Sequence, residues 1–178
     1  MNKSQCVTIA LGLSLAVITA PASAAKQGPR ASLSATTVCA VSRDEYTGII
    51  DSSVFNVTIR FTDKTSGSGY PVVTVWNVMG LAKTARGNWD NQFMFDAATG
   101  VEPGDLNDIV VQFDLCKLPN DAKAVNAAAS ITYEYSGGGY PNTINNMCSD
   151  DPTTGEIEPA GIKLSPEDLL AIGTYLCP

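Results

Sequence analysis

Between residues 55 and 62 the chain alternates strictly, with Phe55, Val57, Ile59 and Phe61 apolar and Asn56, Thr58, Arg60 and Thr62 polar. A period of two sends successive side chains to opposite faces of an extended strand, one face toward a core and the other toward water. The pattern returns where Ile131, Tyr133 and Tyr135 alternate with Thr132, Glu134 and Ser136, and where Val111, Phe113 and Leu115 alternate with Gln112 and Asp114. One-sided strands of this kind belong to antiparallel sheets. Pro71 to Met79 differs: Val72, Thr74, Trp76 and Val78 fall on one face and Val73, Val75 and Met79 on the other, which predicts a central strand covered on both sides. Weaker strand signals at Ser34–Val41 and Gln92–Asp96 bring the total to about six, separated by Gly, Pro, Asn and Asp clusters. The expectation is a mainly β fold, an antiparallel two-sheet β-sandwich.

Helical patterning is sparse. Ser165-Pro166-Glu167-Asp168 offers a capping serine, a proline at the first helical position and acids in the first turn, ahead of Leu169, Ile172 and Leu176 at helical spacing. These predict one short C-terminal helix. Pro119–Ala129 is alanine-rich and reads as a second helix, or else Ala127–Ser130 opens the following strand.

The first residues set the compartment. Lys3 precedes an apolar run from Val7 to Ile18, and Ala22-Ser23-Ala24 supplies the small residues that signal peptidase needs, so cleavage is expected before Ala25. The run is too short to span a bilayer. The expected organisation is a signal peptide over 1–24, a flexible lead-in over 25–32 and a single domain over 33–178 with a disulfide-closed C-terminal segment. Taking 24 from 178 residues leaves 154, and losing Lys3 leaves ten Lys and Arg against eighteen Asp and Glu, a net charge of −8. An acidic chain of this length can bury one core, and it is a poor match for nucleic acid or anionic membranes. No later segment reads as membrane-spanning, and the location expected is secreted, periplasmic or cell envelope.

Cleavage also removes Cys6 and leaves Cys39, Cys116, Cys148 and Cys177, an even set without zinc-ligand spacing. Two disulfides are expected, with Cys39–Cys116 and Cys148–Cys177 favoured among three possible pairings. An immunoglobulin-type domain packs a tryptophan on a disulfide that joins its sheets, and Trp76 falls between Cys39 and Cys116 in the order such a domain requires. The spacing does not match. The architecture is therefore similar to an immunoglobulin sandwich only in a loose sense, and no family follows from it.

The chain contains no histidine. That removes Ser-His-Asp and Cys-His catalysis and His-ligated metal sites. Oxidised cysteines supply no thiol nucleophile, and no glycine cluster has the context of a phosphate loop. Asp114 and Glu134, on the polar faces of two strands, form the one carboxylate pair that suggests a polysaccharide hydrolase. Glu102–Asp108 and Ser149–Asp151 with Glu156 and Glu158 are oxygen-rich, but neither has the alternating ligand spacing of an EF-hand. Neither a metal nor a cofactor is expected. Asn56-Val57-Thr58 matches a glycosylation acceptor inside a strand, which reads as chance.

The most distinctive local feature is a repeated loop. Ser66-Gly67-Ser68-Gly69-Tyr70-Pro71 returns as Ser136-Gly137-Gly138-Gly139-Tyr140-Pro141, 70 residues later. Glycine opens conformations closed to other residues, and proline holds the preceding tyrosine extended. Tyr70 and Tyr140, joined by Trp89, Asp90 and Asn91 from a polar stretch, are candidate binding residues: flat apolar faces flanked by hydrogen-bonding groups suit a glycan or a protein partner. The competing expectation is a pair of ordinary hairpin connections with the tyrosines folded onto the core. The function expected is a non-catalytic exported binding or structural module; a carboxylate-dependent hydrolase and a secreted inhibitor are the alternatives.

Overall fold

The computed structural model describes residues 32–66, 69–85, 87, 89, 91–99, 106–148 and 161–177, with 91–99 described as backbone alone. Two antiparallel sheets pack face to face. The first contains β1 (Leu33–Arg43), β2 (Ile50–Asp63) and β5 (Ile109–Asp114) in the order β1-β2-β5. The second contains β3 (Pro71–Thr84), β4 (Asn91–Thr99), β6 (Ala122–Tyr135) and β7 (Asn142–Met147) in the order β4-β3-β6-β7. The short strand β8 (Ile162–Lys163) joins β6 beyond the point where β7 leaves it. An immunoglobulin constant domain places strands one, two, five and four in one sheet and three, six and seven in the other. Here β4 has moved across to pair with β3, and otherwise the order is the same.

The strict alternations fall where expected. Phe55, Val57 and Ile59 of β2 and Val111 and Phe113 of β5 are buried, and Phe55 and Phe113 meet with ring centroids 6.2 Å apart. From the second sheet Val73, Val78, Val125, Ala127, Ile131 and Tyr133 close the other side of this core. Full burial of each such aliphatic or aromatic side chain stabilises the fold by about 1.5–3 kcal/mol.

The expectation of β3 as a strand covered on both faces is corrected by its register. A bulge between Val73 and Val75 inserts one residue against β6, so inward-facing positions change parity there. Val73 points inward before the bulge and Val78 after it, whereas Val75 is exposed. Val73, Trp76 and Val78 thus share the inward face, while Val72, Val75 and Met79 turn outward. The alanine-rich segment is strand throughout: Ala122 to Tyr135 lies between β3 on one side and β7 and β8 on the other, and Ala122, Ala124, Ala127 and Ala129 are all buried. Ala127 and Ala129, on the same face as Val125 and Ile131, present small side chains to the core between the sheets.

The disulfides pair Cys39 with Cys148 and Cys116 with Cys177, overturning the favoured pairing. The reason is the strand order. Cys39 lies on β1 and Cys116 follows β5, at opposite edges of one sheet with β2 between them. Two strand spacings separate those edges by about 10 Å, beyond the reach of a disulfide. Cys148, just past β7 at the edge of the second sheet, faces β1 instead, with 5.5 Å between the Cα atoms of Cys39 and Cys148. On the same seam Asn146 donates from Nδ2 to the carbonyl of Ala35 at 2.7 Å, so a covalent bond and a side-chain hydrogen bond join the two sheet edges.

The chain ends in α1 (Pro166–Ala171), which runs directly into one turn of π-type helix over Ile172–Leu176. Ser165 caps it as expected, its Oγ accepting from the Asp168 N–H while Asp168 accepts from the Ser165 N–H. Cys177 then bonds to Cys116 in the 3-10 turn Leu115–Lys117, which fixes the helical segment to the end of β5.

Candidate functional site

The two repeated loops lie side by side at one end of the sandwich. The Ser136 N–H donates to the Tyr70 carbonyl at 2.9 Å, and the Tyr70 N–H donates to Ser136 Oγ at 3.1 Å, which prolongs the β3–β6 ladder by one residue beyond the Pro71–Tyr135 pair. The repeat therefore corresponds to adjacency in space. Its glycines have a packing cause: the ring of Tyr135 lies where a Cβ on Gly69 would have to sit, and a Cβ on Gly137 would come within 2.6 Å of the same ring. The chain then turns with Gly138 at φ +86°, its N–H donating to the Tyr135 carbonyl at 2.8 Å. Only glycine adopts that φ without strain.

With Tyr135 filling the space beneath the loops, the two Tyr-Pro tyrosines have different surroundings. Tyr140 is 92% exposed and Tyr70 42% exposed. Tyr140 is not folded onto the core. Its carbonyl accepts from Asn142 Nδ2 at 3.3 Å, and Asn142 and Ser136 are themselves exposed, so polar donors and acceptors flank the aromatic faces.

Trp89 lies elsewhere. β3 begins beside Tyr70 and ends before Trp89, and its 14 residues separate the two by roughly 40 Å of strand. At that far end Lys83 Nζ stands 5.7 Å from the centre of the Trp89 ring, and a Cβ on Gly161 would come within 2.5 Å of the ring. Half-buried and packed on Gly161, Trp89 closes one end of the second sheet. Asn91 opens β4 opposite Ala82, and Asp90 lies outside the described residues. The candidate residues thus separate into Tyr70 and Tyr140 at one end and Trp89 and Asn91 at the other.

The carboxylate pair does not converge. Asp114 ends β5 opposite Val54 in the first sheet, and Glu134 is near the far end of β6 opposite Val72 in the second. Asp114 is occupied in capping the 3-10 turn, accepting from the Cys116 N–H at 2.9 Å. Its oxygen and the sulfurs of Cys116 and Cys177 lie within 4.8 Å of one another, but both sulfurs belong to a disulfide and cannot act as thiolate ligands. Of the two oxygen-rich segments, only Leu106, Asn107 and Asp108 are described, and Asp108 faces Arg60 Nε at 3.5 Å.

A polar cluster that the sequence concealed anchors the helix end. Asp168, 1% exposed, accepts at Oδ1 from Arg43 Nη1 at 2.8 Å and from the Ile50 N–H at 2.9 Å, and at Oδ2 from the Ser165 N–H at 2.8 Å. Arg43 also donates to the carbonyls of Gly48 and Lys163. Burial pushes the Asp168 carboxyl upward, but the Ser165 and Ile50 amides and the Arg43 guanidinium outweigh it and hold the group below the usual carboxylate range. Asp168 was legible only as a first-turn acid, because its partner Arg43 is 125 residues away.

The fold and disulfides define a class, a two-sheet module of immunoglobulin-like strand order braced for an oxidising, extracytoplasmic setting. Compared with known proteins, the chain matches no protein-family model, no curated protein and no solved structure. Among the described residues no helix is long and apolar enough to cross a membrane.

Proposed function

We propose that this protein is an exported, non-catalytic binding module, acting in the periplasm, at the cell envelope or in the medium, that recognises a glycan or a partner protein through its paired Tyr-Pro loops. One observation carries the reading. Two loops of like sequence, distant in the chain, are hydrogen-bonded together through Tyr70 and Ser136 and leave the Tyr140 ring free in solvent. A tyrosine confined to two side-chain torsions offers a large contact area at little entropic cost, and it is mounted here on a loop held by a neighbouring strand. A pyranose ring stacking on such a face would have the exposed Asn142 beside it for its hydroxyls. The side chains that position the loop, Tyr135 and Ser136, are separate from those that present the face, so binding and folding can be perturbed independently.

A glycan array probed with the mature protein and with a Tyr70→Ala/Tyr140→Ala variant tests this. Spots bound by the first and lost by the second, at unchanged melting temperature, are expected. A variant that retains every spot, or that melts several degrees lower, places the tyrosines outside a binding face. An empty array with a protein captured from the native envelope, again dependent on Tyr140, identifies the ligand as protein.

A further inference from the structure

At the opposite end of the sandwich, α1 and the turn between β1 and β2 form the two walls of a cleft of about 330 Å³. Ile49, Leu170 and Tyr175 supply its apolar lining, and Asp44, Asp51 and Glu167 its charged lining. Leu170 is 62% exposed and Tyr175 75% exposed, on a helix that is otherwise firmly held. The Asp168 cluster anchors its first turn to Arg43 and Ile50, and the Cys116–Cys177 bond anchors its end. Apolar side chains displayed on so constrained an element are a preformed surface.

The charged lining is uniformly negative. Among the described residues the ion pairs are Arg43 with Asp168 and Arg60 with Asp108, so Asp44, Asp51 and Glu167 have no cationic partner. Asp44 is held in place by its own turn, Oδ1 accepting from the Thr47 N–H and hydroxyl, each at 2.8 Å, and from the Tyr46 N–H at 3.1 Å. Those bonds, the Thr47 amide first, keep its carboxyl below the usual range against a small opposing effect of desolvation. Arg43 and Lys163 line the adjoining hollow across Thr47 and Glu167, and the Arg43 guanidinium is committed to Asp168 and two carbonyls.

We infer that this cleft is a second docking site, distinct from the tyrosine loops, for a cationic segment of a partner protein that inserts an aliphatic side chain between Ile49, Leu170 and Tyr175 while its Lys or Arg residues face Asp44, Asp51 and Glu167. Apolar side chains beside three like charges select that combination: an acidic segment is repelled by the carboxylates, and a purely polar one leaves the apolar lining uncovered. With a ligand at each end the module becomes a bridge, tethering what its tyrosine loops bind to a basic partner.

The test uses the isotopically labelled mature protein and a synthetic peptide in which arginines flank two leucines, alongside versions with glutamate for arginine or glycine for leucine. The arginine–leucine peptide is expected to give saturating amide shifts at Asp51, Leu170 and Tyr175. Either altered peptide should bind about tenfold more weakly, as should the exposed-site variant Asp51→Lys at unchanged melting temperature. High salt should weaken binding in parallel. Shifts centred elsewhere, equal binding of the glutamate peptide, no binding at all, or indifference to the charge reversal would each overturn the inference. So would self-association abolished by Leu170→Glu, which would make a second copy of the chain the occupant.

Discussion

Replacing Asp168 by alanine should be among the most damaging single changes in this protein. Three donors lose their acceptor at once: the Ile50 N–H on a buried residue, the Ser165 N–H of the helix cap, and the guanidinium of Arg43. A buried amide left unpaired costs about 1–3 kcal/mol, a lost cap about 1 kcal/mol, and the half-buried Arg43 loses its counter-charge. The sum lies at about 3–5 kcal/mol, the range seen when one partner of a buried pair is removed. Urea denaturation followed by far-UV circular dichroism should show this as a lower midpoint at unchanged slope. Ser165→Ala, which removes only the cap to the Asp168 N–H, should cost about 1 kcal/mol. The pH dependence provides an independent check. Because the folded protein holds the Asp168 carboxyl below its unfolded value, its contribution is fully present above the unfolded pKa of about 3.9 and is lost as pH falls through the lower folded value. Asp168→Ala should flatten the stability profile between about pH 5 and pH 2. A loss below about 1 kcal/mol, or a variant whose acid limb is as steep as that of the parent, would refute the role given to this cluster.

Other perturbations isolate other parts of the account. Gly69→Ala forces a Cβ into the Tyr135 ring and should cost about 1–3 kcal/mol in the same assay, whereas Tyr140→Ala should change stability by less than about 0.5 kcal/mol. Non-reducing peptide mapping of the purified protein should recover Cys39 joined to Cys148 and Cys116 joined to Cys177. The Cys39→Ser/Cys148→Ser variant opens a loop spanning 109 residues and should lose up to about 4.8 kcal/mol by chain entropy, against about 4.3 kcal/mol for Cys116→Ser/Cys177→Ser across 61. Phe55→Ala, which removes a fully buried ring from between the sheets, should cost about 3–5 kcal/mol.

Legibility in the sequence followed the strength of local patterning. β2 and β5 were readable because each turns one face to the core and the other to water, and α1 because Ser165 and Pro166 mark its start. The first half of β6 was not. Ala122–Ala129 is buried too extensively to alternate, and alanine's helical preference points the wrong way until β3 and β7 are there to pair with it. β7, Asn142-Thr143-Ile144-Asn145-Asn146-Met147, is a mostly polar edge strand whose ladder to β6 leaves little trace in its composition. The disulfide pairing depends on which strand edges meet, and sequence separation carries no information about that. At the site, the repeated loops revealed the neighbourhood of Tyr70 and Tyr140, but Trp89 looked like a companion only because chain distance hides the length of β3.

The central claim is that the Tyr140 face engages a ligand in the protein's own setting. Benzoylphenylalanine installed in place of Tyr140, and separately in place of the exposed Gln112 on the outer face of the first sheet, makes the claim directly measurable by photocrosslinking in the native host. The account predicts a discrete adduct, with a glycan or a protein, from position 140 and none from position 112. Equal labelling at both positions, or no adduct at 140, would contradict it.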